Sequence, residues 1–341
     1  MASGGRLIPV TAVACTVADK KSLIGIIGDK RHAKRLREIV ESSHEAEVGF
    51  IFNPRSLPDH PLGTTNLHDL RGSDAIIIAT PNQYHFEYLV KVTKWGKYVF
   101  LEKPIAHNED DFLNSIEIIR QGKVYVNYNY RYSLLDEKLR EYKEEIGKII
   151  NVEVVSNNGL AFNDEAKKDW RLSDREQTDT VLRTKAIHWI DYLSYLFGEP
   201  QNMSYRRKSF GPRDQVDTAF ISMNWQEGPS ASVLTSYAAP LNFMVTVYGT
   251  NGTITFRKSS ATLISPRDCF DERGLFTEPP EVLLDYPKGR SLYTDSLAKS
   301  FQRFLSIVQG GSLVPENMID QSILTETLLN QFIKEYSLKR G

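Results

Sequence analysis

The chain has 341 residues, 41% of them hydrophobic and 25% charged, which is enough for two cores rather than one. Lysine plus arginine number 42 against 43 aspartate plus glutamate, so no overall field favours nucleic acid, an anionic membrane or a strongly acidic partner, and any anion must be held locally. The two cysteines, Cys15 and Cys269, stand far apart and outside any C-x-x-C or Cys/His cluster, which argues against a metal centre or disulfide framework and for a reducing, cytoplasmic compartment.

Residues 1–20 read as an N-terminal extension. Their apolar run, 7–18, ends near Ala12-Val13-Ala14-Cys15, a lipoprotein-like cleavage pattern. The run is short, contains Pro9 and follows a single basic residue, Arg6, so the cytoplasmic reading stands. No other segment approaches the roughly 20 apolar residues of a membrane helix. The first buried strand falls at 23–27 and leads into a basic helical stretch, 31–43. Further strands fall at 47–52, 75–79 and 98–101, with a helical pattern at 84–95 between the last two. Short apolar runs alternating with helices predict a parallel sheet with crossover connections, an α/β doubly wound Rossmann domain over residues 21–128.

Beyond about residue 150 the pattern alternates, at 149–156, 217–225, 230–237, 244–248 and 253–256, as in an antiparallel sheet with one covered and one open face. An amphipathic helix at 184–197 would cover one face, and 291–309 and 320–337 read as closing helices. Residues 129–341 are therefore expected to form an α+β domain for substrate binding and oligomerisation, with the last helices packing back on the first domain. The boundary falls somewhere in 120–135.

The first strand runs into Gly28-Asp29-Lys30-Arg31-His32-Ala33, where a phosphate loop belongs. In a G-x-G-x-x-G/A loop the middle glycine lets the backbone approach a pyrophosphate. Here that position is Lys30, while Gly28 still permits the tight turn and Ala33 close helix packing. The lysine either reaches a phosphate directly or marks a plain strand-helix turn. Where an acid would grip the adenosine ribose stands Asn53, followed by Pro54 and Arg55, a neutral residue with a nearby arginine that tolerates a 2′-phosphate. With Lys30 and Arg31 close by, the balance leans to NADP over NAD; the alternative is that Asn53 merely starts a turn.

Two further motifs end strands, Ala79-Thr80-Pro81-Asn82-Gln83-Tyr84-His85 and Leu101-Glu102-Lys103-Pro104-Ile105. Together they resemble the glucose-fructose oxidoreductase, inositol dehydrogenase and rhizopine-catabolism family, which pairs an A-T-P-x-x-x-H segment with an E-K-P segment. The resemblance extends to Asn127-Tyr128-Asn129-Tyr130-Arg131-Tyr132, Asp169-Trp170-Arg171, His188-Trp189-Ile190-Asp191 and Tyr248-Gly249-Thr250-Asn251-Gly252-Thr253. It implies a nicotinamide cofactor lined by Gly28, Lys30, Arg31, His32, Asn53, Arg55, Thr80, Pro81, Asn82, His85, Glu102, Lys103 and Asn129. It also implies Lys103 and His188 as catalytic residues, and Arg131, Trp170, Arg171, Thr184 and Asp191 on the substrate side. A lysine ammonium can polarise a carbonyl or hold a hydroxyl, and histidine suits the proton released when an alcohol is oxidised. No metal is expected.

One departure stands out. Four residues before the histidine the family often carries an aspartate, whereas this chain has Thr184 between Arg183 and Lys185. Activity is then weak, the substrate is anionic, or the chemistry rests on Lys103 and His188 alone; Arg131, Arg171 and Arg183 suit a phosphate or carboxylate. The resemblance implies reversible oxidation of a hydroxyl on a sugar, nucleotide-linked sugar or cyclitol, in the setting of surface-glycan or secondary-metabolite sugar synthesis. The alternative is a catalytically reduced dinucleotide-binding sensor or scaffold of the same fold; a transient, recycled hydride transfer is a third reading. The open sheet face implies a homodimer or homotetramer, and neither nucleic acid nor membrane is an expected partner.

Overall fold

Ile24, Ile26 and Ile27 are buried, as a strand requires when helices cover both faces of its sheet. They form β1 (Ser22–Ile27) in the computed structural model, which describes residues 21–163, 180–212, 216–286 and 292–338. The chain continues through α1 (Arg31–Glu41), β2 (Ala46–Phe52), β3 (Gly63–Thr64), β4 (Ala75–Ile78), α2 (His85–Thr93), β5 (Tyr98–Glu102), α3 (Glu109–Arg120) and β6 (Val124–Asn127). These six strands pair in parallel in the order β3-β2-β1-β4-β5-β6, the order of dinucleotide-binding sheets. Ligands bind such sheets at the carboxyl ends of the strands, where the order reverses, here between β1 and β4. The predicted strands all lie in the sheet. β3, β6 and α3 go beyond the sequence reading: β3 has two residues, β6 four, and neither is long enough to show a period.

A turn at Asn129–Tyr132 leads out of this domain to α4 (Leu134–Glu141), α5 (Lys143–Ile146) and β7 (Ile149–Asn157). Then come α6 (Ile187–Phe197), β8 (Asn202–Lys208), β9 (Thr218–Asn224), β10 (Ser230–Ser236), β11 (Asn242–Gly249), β12 (Thr253–Arg257), β13 (Ala261–Ile264) and β14 (Glu281–Leu283). The eight strands run in the order β14-β13-β12-β11-β7-β10-β9-β8 and pair antiparallel except for β10 with β7. Trp189, Leu193 and Leu196 of α6 pack on one face, against Val152, Val245 and Val247. The opposite face carries a shallow cleft of 390 Å³ lined by Val155, Arg206, Phe220, Ser222, Leu234 and Met244, with Phe220 exposed. No helix among the described residues is long and apolar enough to cross a membrane.

The closing helices, α7 (Leu292–Gln309) and α8 (Glu316–Leu338), reach back to the first domain. Ser296 accepts from Asn129 at 2.7 Å and Ser300 donates to Asn127 at 2.7 Å, so α7 is bonded to β6 and to the turn that follows it. Phe301 and Phe304 pack edge-on against Phe100 of β5.

Candidate active site

At the end of β1, Gly28 adopts φ +118°, and a Cβ there would come within 2.6 Å of the Ala79 carbonyl oxygen at the end of β4. Only glycine fits this junction between the two central strands. The helix that follows starts without a side-chain cap: Lys30 occupies the cap position in extended conformation and bonds no first-turn N–H. A helix start without a side-chain cap is suited to hold an anion. Beside it a cleft of 370 Å³ is lined by Gly28, Lys30, Arg31, Lys34 and Arg37, with Asp29 and Asp59. The glycine cradle, the uncapped helix and the basic lining fit a dinucleotide phosphate. Lys30 itself is exposed and lies 3.6 Å from Asp29, on the rim.

Asn53 and Arg55 close the far side of this region. The Asn53 carboxamide oxygen accepts from the Arg55 N–H at 3.0 Å, forming a turn, and the Arg55 guanidinium donates to the Tyr84 hydroxyl at 2.8 Å and lies over its ring. The turn and the basic-residue readings of this segment thus coexist.

The strand-end motifs are bound together. Buried His85 places Nδ1 2.6 Å from the Pro104 carbonyl oxygen and Nε2 3.0 Å from that of Thr80, so it ties one motif to the other, a positioning role. Pro81 and Asn82 open the short turn before it, with Asn82 buried. Burial would raise the Glu102 carboxyl, but His32, 2.7 Å away, and Asn127, donating at 2.7 Å, hold it below the ordinary range. His32 therefore links the phosphate loop to the E-K-P segment. Asn129 is buried and donates to Ser296.

Lys103 crosses between the domains, donating from Nζ to the Thr184 carbonyl at 2.8 Å. That oxygen belongs to a π-helical turn, Leu182–Ala186, that leads directly into α6; such turns widen a helix and recur at functional sites. The Thr184 hydroxyl is used within the protein, donating to the Thr180 carbonyl at 2.5 Å and meeting the Tyr237 hydroxyl. One turn onward His188 is buried, stacked 4.8 Å from the Tyr130 ring and met edge-on by Tyr293. Its Nδ1 has no hydrogen-bond partner among the described residues. Burial first, then the charges of Lys103, Lys185 and His32, push its pKa well below the usual 6.5, so the imidazole is neutral at physiological pH. Tyr130 and Tyr293 frame this histidine.

Two residues expected on the substrate side turn inward. Arg131 and Asp191 pair with each other, Nε to Oδ2 at 3.0 Å, both buried, and Thr325 of α8 donates to Asp191 at 2.9 Å. Each satisfies the other and leaves nothing to offer a ligand. Arg183 is also buried and donates from Nη2 to Asn330 of α8 at 3.1 Å, while its Nη1 has no hydrogen-bond partner among the described residues. Trp170 and Arg171 lie outside the described residues, as does the extension 1–20. Glu326 escaped the sequence reading: it accepts from the Ile105 N–H at 2.6 Å and the Tyr128 hydroxyl at 2.9 Å, and burial raises its pKa to about 7.

Residues 22–130 match the oxidoreductase family, NAD-binding Rossmann fold, and residues 139–255 the GFO/IDH/MocA C-terminal domain. Among curated proteins, the chain is 24% identical over 258 residues to the 2,7-anhydro-N-acetylneuraminate hydratase of Escherichia coli, covering 67% of this chain and 66% of that one. It is 22% identical over 249 residues to the inositol 2-dehydrogenase of Rhizobium meliloti, covering 70% and 71%. Among solved structures, a levoglucosan dehydrogenase in complex with NADH and levoglucosan superposes with a TM-score of 0.75 at 18% identity, over 94% of this chain and 98% of that one.

Proposed function

Because the chain belongs to the GFO/IDH/MocA family of NAD-binding oxidoreductases, we propose that it transfers hydride to or from a hydroxyl-bearing carbon of a sugar, nucleotide-linked sugar or cyclitol. The observation that carries this reading is that Lys103, just past the end of β5, donates to the Thr184 carbonyl one turn before His188, close enough for its charge to lower the His188 pKa. The bound dinucleotide supplies the hydride acceptor or donor. In the oxidation direction the C–H hydrogen leaves as hydride and the O–H hydrogen as a proton. Lys103 holds the hydroxyl oxygen and stabilises the negative charge that grows on it, and the neutral His188 imidazole accepts the proton. The Tyr130 and Tyr293 rings keep His188 dry and in place. The relatives named for a sialic-acid derivative, a cyclitol and an anhydrosugar support a carbohydrate-like substrate.

Lys30, Arg31, Lys34 and Arg37 around the phosphate cleft, with Asn53 where an acid would repel a 2′-phosphate, favour NADP over NAD. We further propose that the exposed sheet face pairs two copies in the cytoplasm, giving a dimer or tetramer. Separate titrations with NADH and NADPH, followed by cofactor fluorescence and melting temperature, test the cofactor; saturation at 100 times Kd stabilises the fold by about 2.7 kcal/mol. A screen of polyols then tests turnover, with Lys103→Ala expected to lower kcat about 100-fold or more while cofactor binding persists. A folded Lys103→Ala protein with undiminished turnover would sink this reading. The engagement of Thr184 within the protein, at the position where the family often has an acid, favours a second reading, a reduced dinucleotide-binding sensor. Dinucleotide binding without turnover on any polyol would select it.

A further inference from the structure

The backbone on both sides of Lys103 is pinned by side chains from elsewhere in the fold. Before it, the Glu102 carboxylate meets His32 and accepts from Asn127, each at 2.7 Å. After it, the Pro104 carbonyl oxygen lies 2.6 Å from Nδ1 of His85, and the Ile105 N–H donates to Oε1 of Glu326 at 2.6 Å. The first three partners belong to the Rossmann domain, but Glu326 comes from α8, 221 residues along the chain from Ile105. The same Oε1 accepts from the Tyr128 hydroxyl at 2.9 Å, where the chain leaves β6 for the second domain. The other end of the lysine is tied to α8 as well. Its ammonium donates to the Thr184 carbonyl at 2.8 Å, and the adjoining Arg183 donates to Asn330 at 3.1 Å. Glu326 and Asn330 stand one turn apart on one face of α8, and both are buried.

We propose that Glu326 and Asn330 are positioning residues for Lys103, one holding its backbone and the other its ammonium anchor, so that a single turn of α8 sets where the ammonium meets the reacting hydroxyl. This rests on the hydride-transfer reading above and adds to it two residues that act through Lys103. A lysine carries its charge on a flexible four-carbon stem, so its alignment must come from what grips the two ends. A displacement of about 1 Å at a reacting group costs on the order of 100-fold in rate. The Ile105 N–H and the Tyr128 hydroxyl are donors in a dry interior, and loss of their shared acceptor forces the segment after Lys103 to shift in search of another. Burial raises the Glu326 carboxyl and the charge of Lys103 works against that rise, which places the two groups within electrostatic reach.

The test is a double-mutant cycle on kcat. The protein is saturated with whichever of NADH or NADPH binds it and supplied with a polyol that it turns over, at a temperature where melting curves show every variant folded. Glu326→Met should lower kcat about 10- to 100-fold while the dinucleotide Kd stays nearly unchanged. Glu326→Gln, which keeps an oxygen for Ile105 and Tyr128, should recover most of that loss. In a Lys103→Ala background the Glu326→Met change should leave kcat nearly unaltered, since its effect passes through the missing ammonium. Asn330→Ala leaves both Glu326 bonds in place; it too should lower kcat and lose that effect without Lys103, and it carries the cycle alone if Glu326→Met does not fold. Equal losses with and without Lys103, the mark of damaged packing, would overturn the positioning role, as would a natural kcat in the folded single variants. A natural chain that binds neither dinucleotide, or binds one and turns over no polyol, removes the hydride-transfer reading and the positioning role with it, and shows this before any variant is made.

Discussion

Glu326 is buried like His188 but lies 198 residues beyond its partner Tyr128. Its carboxyl titrates at about 7 in the fold against 4.5 ordinarily, because burial penalises the anion more than Ile105, Arg183 and Tyr128 favour it. Between those values the folded chain holds a proton that the unfolded chain has released, so this group's contribution falls as pH rises from 4.5 to 7, by about 3 kcal/mol in all. His188 acts with the opposite sign: below 6.5 the unfolded imidazole takes a proton that the folded one refuses, so stability falls as pH drops. The two slopes oppose each other up to 6.5. Glu326→Gln keeps an oxygen for Ile105 and Tyr128, and denaturant titrations at pH 5 and pH 8 should show its advantage over the natural chain growing toward the higher pH. At this scale the sequence singled out Lys103, His188 and Gly28, since their motifs are local. It could not reveal that Arg131 and Asp191, 60 apart, would pair with each other, because a guanidinium reads alike in a site and in a core.

At the scale of elements, the β1–α1 junction and the α6–α8 contact carry the site. Gly28→Ala would drive a methyl into the Ala79 carbonyl at a φ that side chains avoid. It should lower the melting temperature and weaken dinucleotide binding at least 10-fold, the latter read by fluorescence titration. The Arg131–Asp191 pair joins the exit turn of the first domain to α6, and Thr325 extends it to α8. Removing either partner should cost about 3–5 kcal/mol, while Arg131→Met with Asp191→Leu should cost less than the two single changes summed; urea unfolding of all four proteins measures this. Long periodic elements such as α6 and β1 were legible because apolar spacing reports burial directly. The π-helical turn that presents Lys185 and the Lys103 anchor was not, because a widened turn leaves no mark in spacing.

At the scale of the molecule, both sheet types were readable from where alternation replaces continuous apolar runs near residue 150. The face of the second sheet lined by Phe220, Val155 and Leu234 is predicted to bury itself against a second copy. Phe220→Asp should shift the mass in light scattering at micromolar concentration toward the monomer; a natural chain that is already monomeric there would remove the pairing proposal. Finally, Thr325, Glu326 and Asn330 fix, from one stretch of α8, α6, the segment after Lys103, and the π-helical turn. During synthesis the ribosome delivers Lys103 and His188 early and the helix that seats them late. At about 5–20 residues per second, the 138 residues from His188 to Glu326 take on the order of 7–28 s, and through that interval the nascent chain carries both side chains without the helix that fixes the elements around them.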